Sequence, residues 1–285
     1  MKKISFLILL ISNFAFSQEG FRFENDFKPN SEYLFKMNTQ GITEVDFVGD
    51  SILLANFKNR GVELPIISKN ESEVTVKTTT GKMDSQNRIS AVIEYGDVIN
   101  IALVNGEVIE QKRPISGTIA YGKYLENNKF QVDSLINPSK TQESLEMIKN
   151  MISELQQQIE FPDRKLHVGE TFKNIIPFSI PIKGMNPVQI SISTDYTLKE
   201  VKNEIAKFDL ILSVELKGEN EQLDLMVKGE GKGISEFNIN DKITSNFSSD
   251  MTMNMTIKVN DQLTSKTKST TVTNYKTEIR KDASR

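Results

Sequence analysis

The chain has 285 residues, a formal net charge of −3, one histidine and no cysteine. Its acidic balance lacks the basic face that phosphate binding requires, so we expect no nucleic-acid partner. The absence of cysteine excludes disulfides and thiolate chemistry, and one histidine cannot build the usual multi-histidine zinc site. No metal or other cofactor is therefore expected.

Residues 1–17 have the layout of a secretory signal peptide. Two lysines open the segment, Phe6–Ile11 supplies an apolar core, and Ala15 and Ser17 are small residues of the kind that a signal peptidase reads. The prediction is an exported, soluble protein, periplasmic or secreted. No later apolar run approaches the roughly 18 residues needed to cross a bilayer, so no transmembrane segment is expected after signal cleavage.

Residues 18–137 are predicted to form a β-rich N-terminal half. Apolar residues alternate with polar ones, for example at Tyr33, Phe35 and Met37. Asn105-Gly106 gives the strongest hairpin signal of the chain. The pattern leaves open whether this half shares one sheet with the rest of the chain.

Residues 138–162 are predicted to form the one principal helix. Leu145, Ile148 and Ile152 follow helical spacing, and Pro162 ends the pattern. An apolar stripe of this kind must be buried, and the apolar face of a sheet is the expected partner.

Residues 163–285 are predicted to form an antiparallel meander of long strands joined by short turns. The even positions 188–198 and 206–216 are mostly apolar, and the odd positions 247–259 continue the pattern after a turn. The fold class is therefore mainly β (α+β): a long-stranded curved antiparallel sheet or half-barrel with one principal amphipathic helix packed on it. The apolar segment 175–182 is open to three interpretations, a lid, a membrane-touching tip or a strand with edge prolines.

Three glycines, Gly229, Gly231 and Gly233, fall on the apolar side of one predicted strand. Missing side chains there favour a sharp bend of the sheet or the close approach of a helix. A phosphate-binding loop would need a helix to follow, and a strand pattern follows instead.

Candidate catalytic residues are few. His167 lies in a polar loop without a nucleophile elbow near it, which favours a solvated side chain over a catalytic triad. Several carboxylates gather around residues 209–224, but interleaved lysines indicate a solvated sheet surface. A carboxylate-dependent hydrolase is therefore the least favoured function, and the protein is expected not to be an enzyme.

The apolar face carries the favoured functional hypothesis, a site for a lipid or other apolar ligand in the cell envelope. Methionines in a row fill irregular space and yield to a flexible guest, although ordinary core packing explains them as well. The predicted lining comprises sheet residues and the helix face opposite them: Phe247, Met251, Met253, Met255, Leu212, Val214, Ile148, Met151 and Ile152.

An alternative is a protein-interaction module. The threonine-rich stretch Thr264–Thr273 would then form an exposed strand that pairs with a partner, such as another envelope protein.

The chain resembles a family of exported bacterial proteins of unknown function. The resemblance rests on strand-entry and turn patterns: Gly117–Gly122, Phe130–Ser134, Phe161–Asp163, Val168–Phe172 and Gly229–Gly233. It covers nearly the whole chain after the leader and implies no activity. The layout is also similar to the curved sheet and helix of periplasmic lipoprotein carriers, a likeness of architecture that transfers no residues.

Overall fold

The computed structural model describes residues 20–104, 107–126, 128–155, 159–180, 188–216 and 225–281. The predicted leader and the Asn105-Gly106 turn lie outside these ranges. Among the described residues, no helix has both the length and the apolar character needed to span a membrane.

The protein is mainly antiparallel β, as the alternation predicts. The strands within the described ranges are β1 Ser31–Gly49, β2 Ile66–Met83, β3 Ile89–Tyr95, β4 Ile99–Val104, β5 Glu107–Lys112, β6 Ile119–Tyr124, β7 Phe130–Ile136, β8 Thr171–Ile180, β9 Val188–Lys202, β10 Ile205–Leu216, β11 Leu225–Asn238, β12 Ile243–Asn260 and β13 Leu263–Lys281. Two helices, α1 (Ser51–Asn59) and α2 (Gln142–Leu155), accompany them.

All strands belong to one sheet, so the two β-rich halves are continuous. The strand order is β7-β6-β3-β2-β1-β13-β12-β11-β10-β9-β8, with the β4–β5 hairpin added beside β2. The halves join where β1 pairs with β13 along the full 19-residue length of both strands, from Ser31 opposite Lys281 to Gly49 opposite Leu263. The sheet does not close, because β7 and β8 remain unpaired at the two ends of this order, and β5 is a further edge beside β4.

The prediction that Thr264–Thr273 forms an exposed edge is wrong. This stretch lies in β13, which has β1 on one side and β12 on the other, so its backbone groups are already paired. Its many threonines are not an edge signal; they suit the extended backbone of a central strand. Residues 175–180 of the predicted apolar segment instead belong to the edge strand β8, with Pro177 inside it, which matches the edge-proline interpretation. Residues 181–182 of that segment lie outside the described residues.

Two-residue alternation divides the sheet into two faces of different chemistry. The inner face is the one that carries Tyr33, Phe247, Leu212 and Tyr196, and the outer face carries the charges. Between Tyr33 and Phe47 of β1, and at the matching described positions of β2, β12 and β13, the inner face holds only apolar, hydroxyl, amide or glycine residues.

The inner face holds three clusters of buried side chains. The first cluster joins strands β3, β6 and β7 to Tyr33 and Phe27, the second joins β8–β11 to Phe23, and the third lies farther along β9–β12 around Val214. The chain segment before β1 connects the first two, because Phe27 stacks on Tyr124 at a ring-centroid distance of 4.0 Å while Phe23 lies 5.2 Å from Phe208.

Helix α2 packs into the first cluster. Ile148 and Ile152 are fully buried there, so the expected helix-on-sheet packing is present. Their neighbours are the strands of the N-terminal half, whereas the predicted site placed this helix face opposite the methionines of β12. That juxtaposition is wrong, because chain order does not say which part of a long sheet a helix covers.

Helix α1 follows β1 and was not expected from the sequence. Asp50 caps it by accepting hydrogen bonds from the backbone N–H groups of Ile52 (2.8 Å) and Leu53 (3.2 Å). None of its residues is fully buried; its short apolar stripe, Leu53, Leu54 and Phe57, is half-buried, and Phe57 stacks on Phe47 of β1 at a ring-centroid distance of 5.1 Å.

The glycine row lies where the strands approach one another too closely for side chains. A Cβ on Gly231 would lie 2.6 Å from the carbonyl oxygen of Asp250, and one on Gly229 would lie 2.9 Å from Cβ of Val214. Neither helix of the described part packs at this row, because α2 lies in the first cluster and α1 contacts β1. The bending interpretation of the three glycines is therefore the one that fits.

Replacing Gly231 by alanine tests this close approach, because the direction of the change in the free energy of unfolding depends on the space around the added methyl group. In an extended strand with open space, Gly→Ala stabilises by reducing the entropy of the unfolded chain. Here we expect Gly231→Ala to lower the free energy of unfolding by about 1–3 kcal/mol, because the added methyl meets backbone. Urea unfolding followed by circular dichroism measures this, and Lys232→Ala, on the outer face, should change little. A stabilised Gly231→Ala protein would contradict the assigned contact.

Truncation of Ile152 tests the packing of α2. Ile152→Ala should lower the free energy of unfolding by about 2–5 kcal/mol, because it removes a fully buried side chain and leaves a cavity. Met147, on the same helix, is 58% exposed, so Met147→Ala should stay within about 0.5 kcal/mol of the parent in the same urea titration. Equal losses in both variants would mean that α2 does not bury the assigned face.

Candidate functional site

The inner face lines a partly open cavity of about 450 Å³ at the meeting point of the three clusters. We call it the inner cavity. Its apolar lining comes from strands between the edge strand β8 and the central strands β13 and β1, and from the segments before β1 and before β8: Phe27, Phe35, Ile159, Ile176, Ile192, Tyr196, Leu212, Ile243, Phe247 and Tyr275.

The composition of this lining establishes that the sheet is curved. Phe35 in β1 and Ile176 in β8 are six strands apart in the sheet order. In a flat sheet they would be separated by roughly 29 Å, at about 4.8 Å per strand. Both line the same cavity, so the sheet curls around it and the inner face is concave.

A second cavity, which we call the mouth cavity, has a volume of about 900 Å³ and lies between the two sheet edges. Phe130 at the start of β7 lines one side and Ile175 of β8 lines the other. Four residues line both cavities, which places the cavities next to each other: Asn25, Ile159, Asn174 and Ile176. Unlike the inner cavity, the mouth cavity is lined by many charged residues: Arg22, Glu24, Glu126, Lys129, Glu160 and Asp163.

Hydrogen bonds fix the segment that separates the two cavities. The Asn25 side-chain amide donates to the carbonyl oxygen of Ile159 at 2.7 Å. Phe21 and Leu166 exchange a pair of backbone hydrogen bonds, each 2.8 Å long. The floor of the mouth is thus built from chain segments outside the main sheet and held by specific contacts.

The charged groups of the inner cavity are paired at its rim. Lys242 Nζ lies 3.4 Å from the Asp26 carboxylate and 3.1 Å from that of Glu24. The hydrogen bond to Glu24 raises the pKa of the Lys242 ammonium. The ammonium therefore stays charged and paired with these carboxylates at the rim.

The phenols of the inner cavity are neutral. Burial raises the pKa of Tyr196 to about 12, and burial also raises the pKa of Tyr275. The Tyr275 hydroxyl accepts a hydrogen bond of 2.8 Å from Thr277 Oγ1. Inside its rim, the cavity therefore presents uncharged walls near neutral pH.

Among the predicted site residues, Leu212 and Phe247 line the inner cavity. Val214 is buried in the third cluster, and Met251, Met253 and Met255 are half-buried against it. The methionines thus line the inner face beyond the cavity and not its wall.

The predicted helix residues do not join this site. Ile148 and Ile152 belong to the first cluster and line neither cavity. The side chain of Met151 lies outside the described part of the structure.

Sequence reasoning missed the polar residues of the cavity. Asn174 and Thr194 are paired neighbours on β8 and β9, and each is 7% exposed. Both interrupt an otherwise apolar face, between Phe172 and Ile176 and between Ile192 and Tyr196 respectively. The sequence signal that could have identified them is a polar residue at a position that the alternation assigns to the buried face of a strand.

The catalytic candidates do not assemble a site in the described residues. His167 donates its backbone N–H to Glu170 at 2.7 Å, and this bond, with that from Arg164, lowers the pKa of the Glu170 carboxyl to about 2. Asp209 forms an ion pair with Lys199 at 3.1 Å on the outer face. Glu219, Glu221 and Asp224 lie outside the described residues. Within the described ranges, no group of three or more acidic or histidine side chains is placed to hold a metal ion.

Comparisons with known proteins give no family. No family model matches the sequence, and a search of curated proteins finds no match. Among solved structures, Pseudomonas aeruginosa OpdQ is similar at a TM-score of 0.26 and 6% identity, covering 88% of this chain and 100% of that chain. The translocator domain of the autotransporter NalP from Neisseria meningitidis is similar at a TM-score of 0.21 and 7% identity, covering 94% and 93%. Likeness at this level assigns neither fold nor function.

Proposed function

We propose that the mature protein works outside the cytoplasm as a non-catalytic binding protein that holds a lipid or another apolar molecule in the inner cavity. The observation that carries this proposal is the size and lining of the cavity. Protein interiors are close-packed, and voids larger than a water molecule are few. A space of about 450 Å³ with apolar walls has the volume of a ligand site.

The surroundings of the cavity support the same function. The charges at the rim are paired, so an apolar guest would meet no unpaired charge inside. The half-buried methionines farther along the inner face are flexible side chains that can adjust to a longer guest. Export is supported by the signal-peptide layout of residues 1–17.

The alternatives have less support. Pairing of a partner strand at the β8 edge would meet Pro177, which has no N–H to donate. A carboxylate hydrolase would need two acids facing each other across a cleft. The two acids of the predicted group that the structure describes, Asp209 and Glu215, both lie exposed on the outer face, and Asp209 is paired with Lys199.

Filling the cavity tests the proposal. Ile176 is half-buried in the cavity wall, whereas Ile211 is 65% exposed on the outer face of β10 and lines neither cavity. Purified mature protein should bind the apolar fluorophore N-phenyl-1-naphthylamine saturably. Ile176→Trp should weaken this binding about tenfold or more, because the indole occupies the site, whereas the matched control Ile211→Trp should bind like the parent.

The chain has no tryptophan, so each variant carries its own reporter. Indole emission should be blue-shifted in Ile176→Trp and solvent-like in Ile211→Trp, which checks that the two side chains point as assigned. If Ile176→Trp does not fold, Ile192→Trp replaces it in the cavity wall. Parent protein that shows no saturable binding, or cavity variants that bind like the parent, would disprove the proposed function.

A further inference from the structure

Two buried polar side chains in the inner cavity have no hydrogen-bond partner among the described residues. Asn174 and Thr194 lie side by side on β8 and β9, and both are 7% exposed. No described residue makes a hydrogen bond to the Asn174 amide or to the Thr194 hydroxyl. Buried polar groups are normally satisfied, because leaving one without a partner carries its full desolvation penalty.

The position of Asn174 explains what could satisfy it. Asn174 lines both the apolar inner cavity and the charged mouth cavity, so its amide stands at the boundary between them. Its side chain offers a carbonyl acceptor and two N–H donors, and the Thr194 hydroxyl both donates and accepts. Tyr196, the next inner-face residue of β9, adds a buried neutral phenol.

The charge distribution selects a neutral partner for this group. The rim ammonium of Lys242 is engaged by Asp26 and Glu24. The cations Arg22 and Lys129 line the mouth cavity but not the inner cavity, so a carboxylate or phosphate would find its partners in the mouth and not beside Thr194. An acyl carbonyl, present in both esters and amides, accepts from the donors of Asn174 and Thr194 without bringing a charge into the apolar site.

We infer that the ligand is an amphiphile with a neutral acyl linkage, an ester or an amide, whose carbonyl binds Asn174 and Thr194. Its hydrocarbon chain fills the inner cavity, and its polar headgroup lies in the mouth cavity among charged side chains. This inference rests on the proposed function and adds the chemical class and orientation of the ligand.

Competition with the bound fluorophore tests the class. The competitors share a twelve-carbon chain: dodecane, dodecanoate, 1-monododecanoylglycerol and N-dodecanoylethanolamine. The parent protein should release N-phenyl-1-naphthylamine at concentrations of the two neutral acyl compounds about tenfold lower than for dodecane or dodecanoate. The ester and the amide arms separate the two linkages, and preference for either supports the inference.

Removal of the polar groups should abolish that preference. Asn174→Leu has a similar shape without hydrogen-bonding capacity, and Thr194→Val is its counterpart on β9. Each should weaken binding of the neutral acyl compounds by about three- to tenfold, the worth of a hydrogen bond, and leave dodecane unchanged. Asn254→Leu, an exposed asparagine on the outer face of β12, is the matched control and should behave like the parent.

Stability of the ligand-free protein gives an independent readout. If Asn174 serves a ligand, Asn174→Leu removes an unsatisfied buried amide and should raise the melting temperature of delipidated protein. A purely structural asparagine would give a lower melting temperature. Saturable fluorophore binding without a preference for acyl compounds, a preference that survives both substitutions, or a lowered melting temperature would each overturn this inference while leaving the proposed function intact. Absence of fluorophore binding by the parent would overturn both.

Discussion

The pairing of the first strand with the last one is the constraint on which the rest of the structure depends. β1 and β13 run antiparallel for their full 19-residue lengths and form the middle of the sheet. The other strands add outward on both sides, so the edges β7 and β8 are far apart in the sheet order yet meet at one mouth cavity. Both the cavity and its opening therefore require contacts between residues near the two ends of the described chain, which makes the fold rich in non-local contacts.

Alternation along these strands separates charge from the interior. Outer-face carboxylates and ammonium groups pair across neighbouring strands, as Lys199 does with Asp209. On the inner face, cross-strand hydroxyl pairs such as Thr43 with Ser269, 3.1 Å apart, satisfy polar groups without introducing charge. The concave side consequently has an apolar wall on β8–β12 and a hydroxyl-rich wall on β1 and β13.

The sequence predicts local features, such as the buried face of a strand or helix, and it does not predict which distant segments of the chain pair or pack together. Period-2 alternation correctly identifies Leu212 and Phe247 as inner-face residues, and helical spacing identifies Ile148 and Ile152 as a buried stripe. No local pattern states that β13 lies beside β1, so a threonine-rich central strand was predicted as an edge. For the same reason, the sequence could not place the helix stripe against the N-terminal half.

Asn174 escaped prediction for a different reason. A periodicity argument averages over a strand, so a single polar residue between Phe172 and Ile176 does not change the assignment of that face as apolar. In the folded protein this asparagine points to a function, because a polar residue on a buried apolar face without a partner among the described residues costs stability. Leucine at position 174 would continue the apolar face. The asparagine is thus explained better by a group that enters the cavity than by the packing of the sheet.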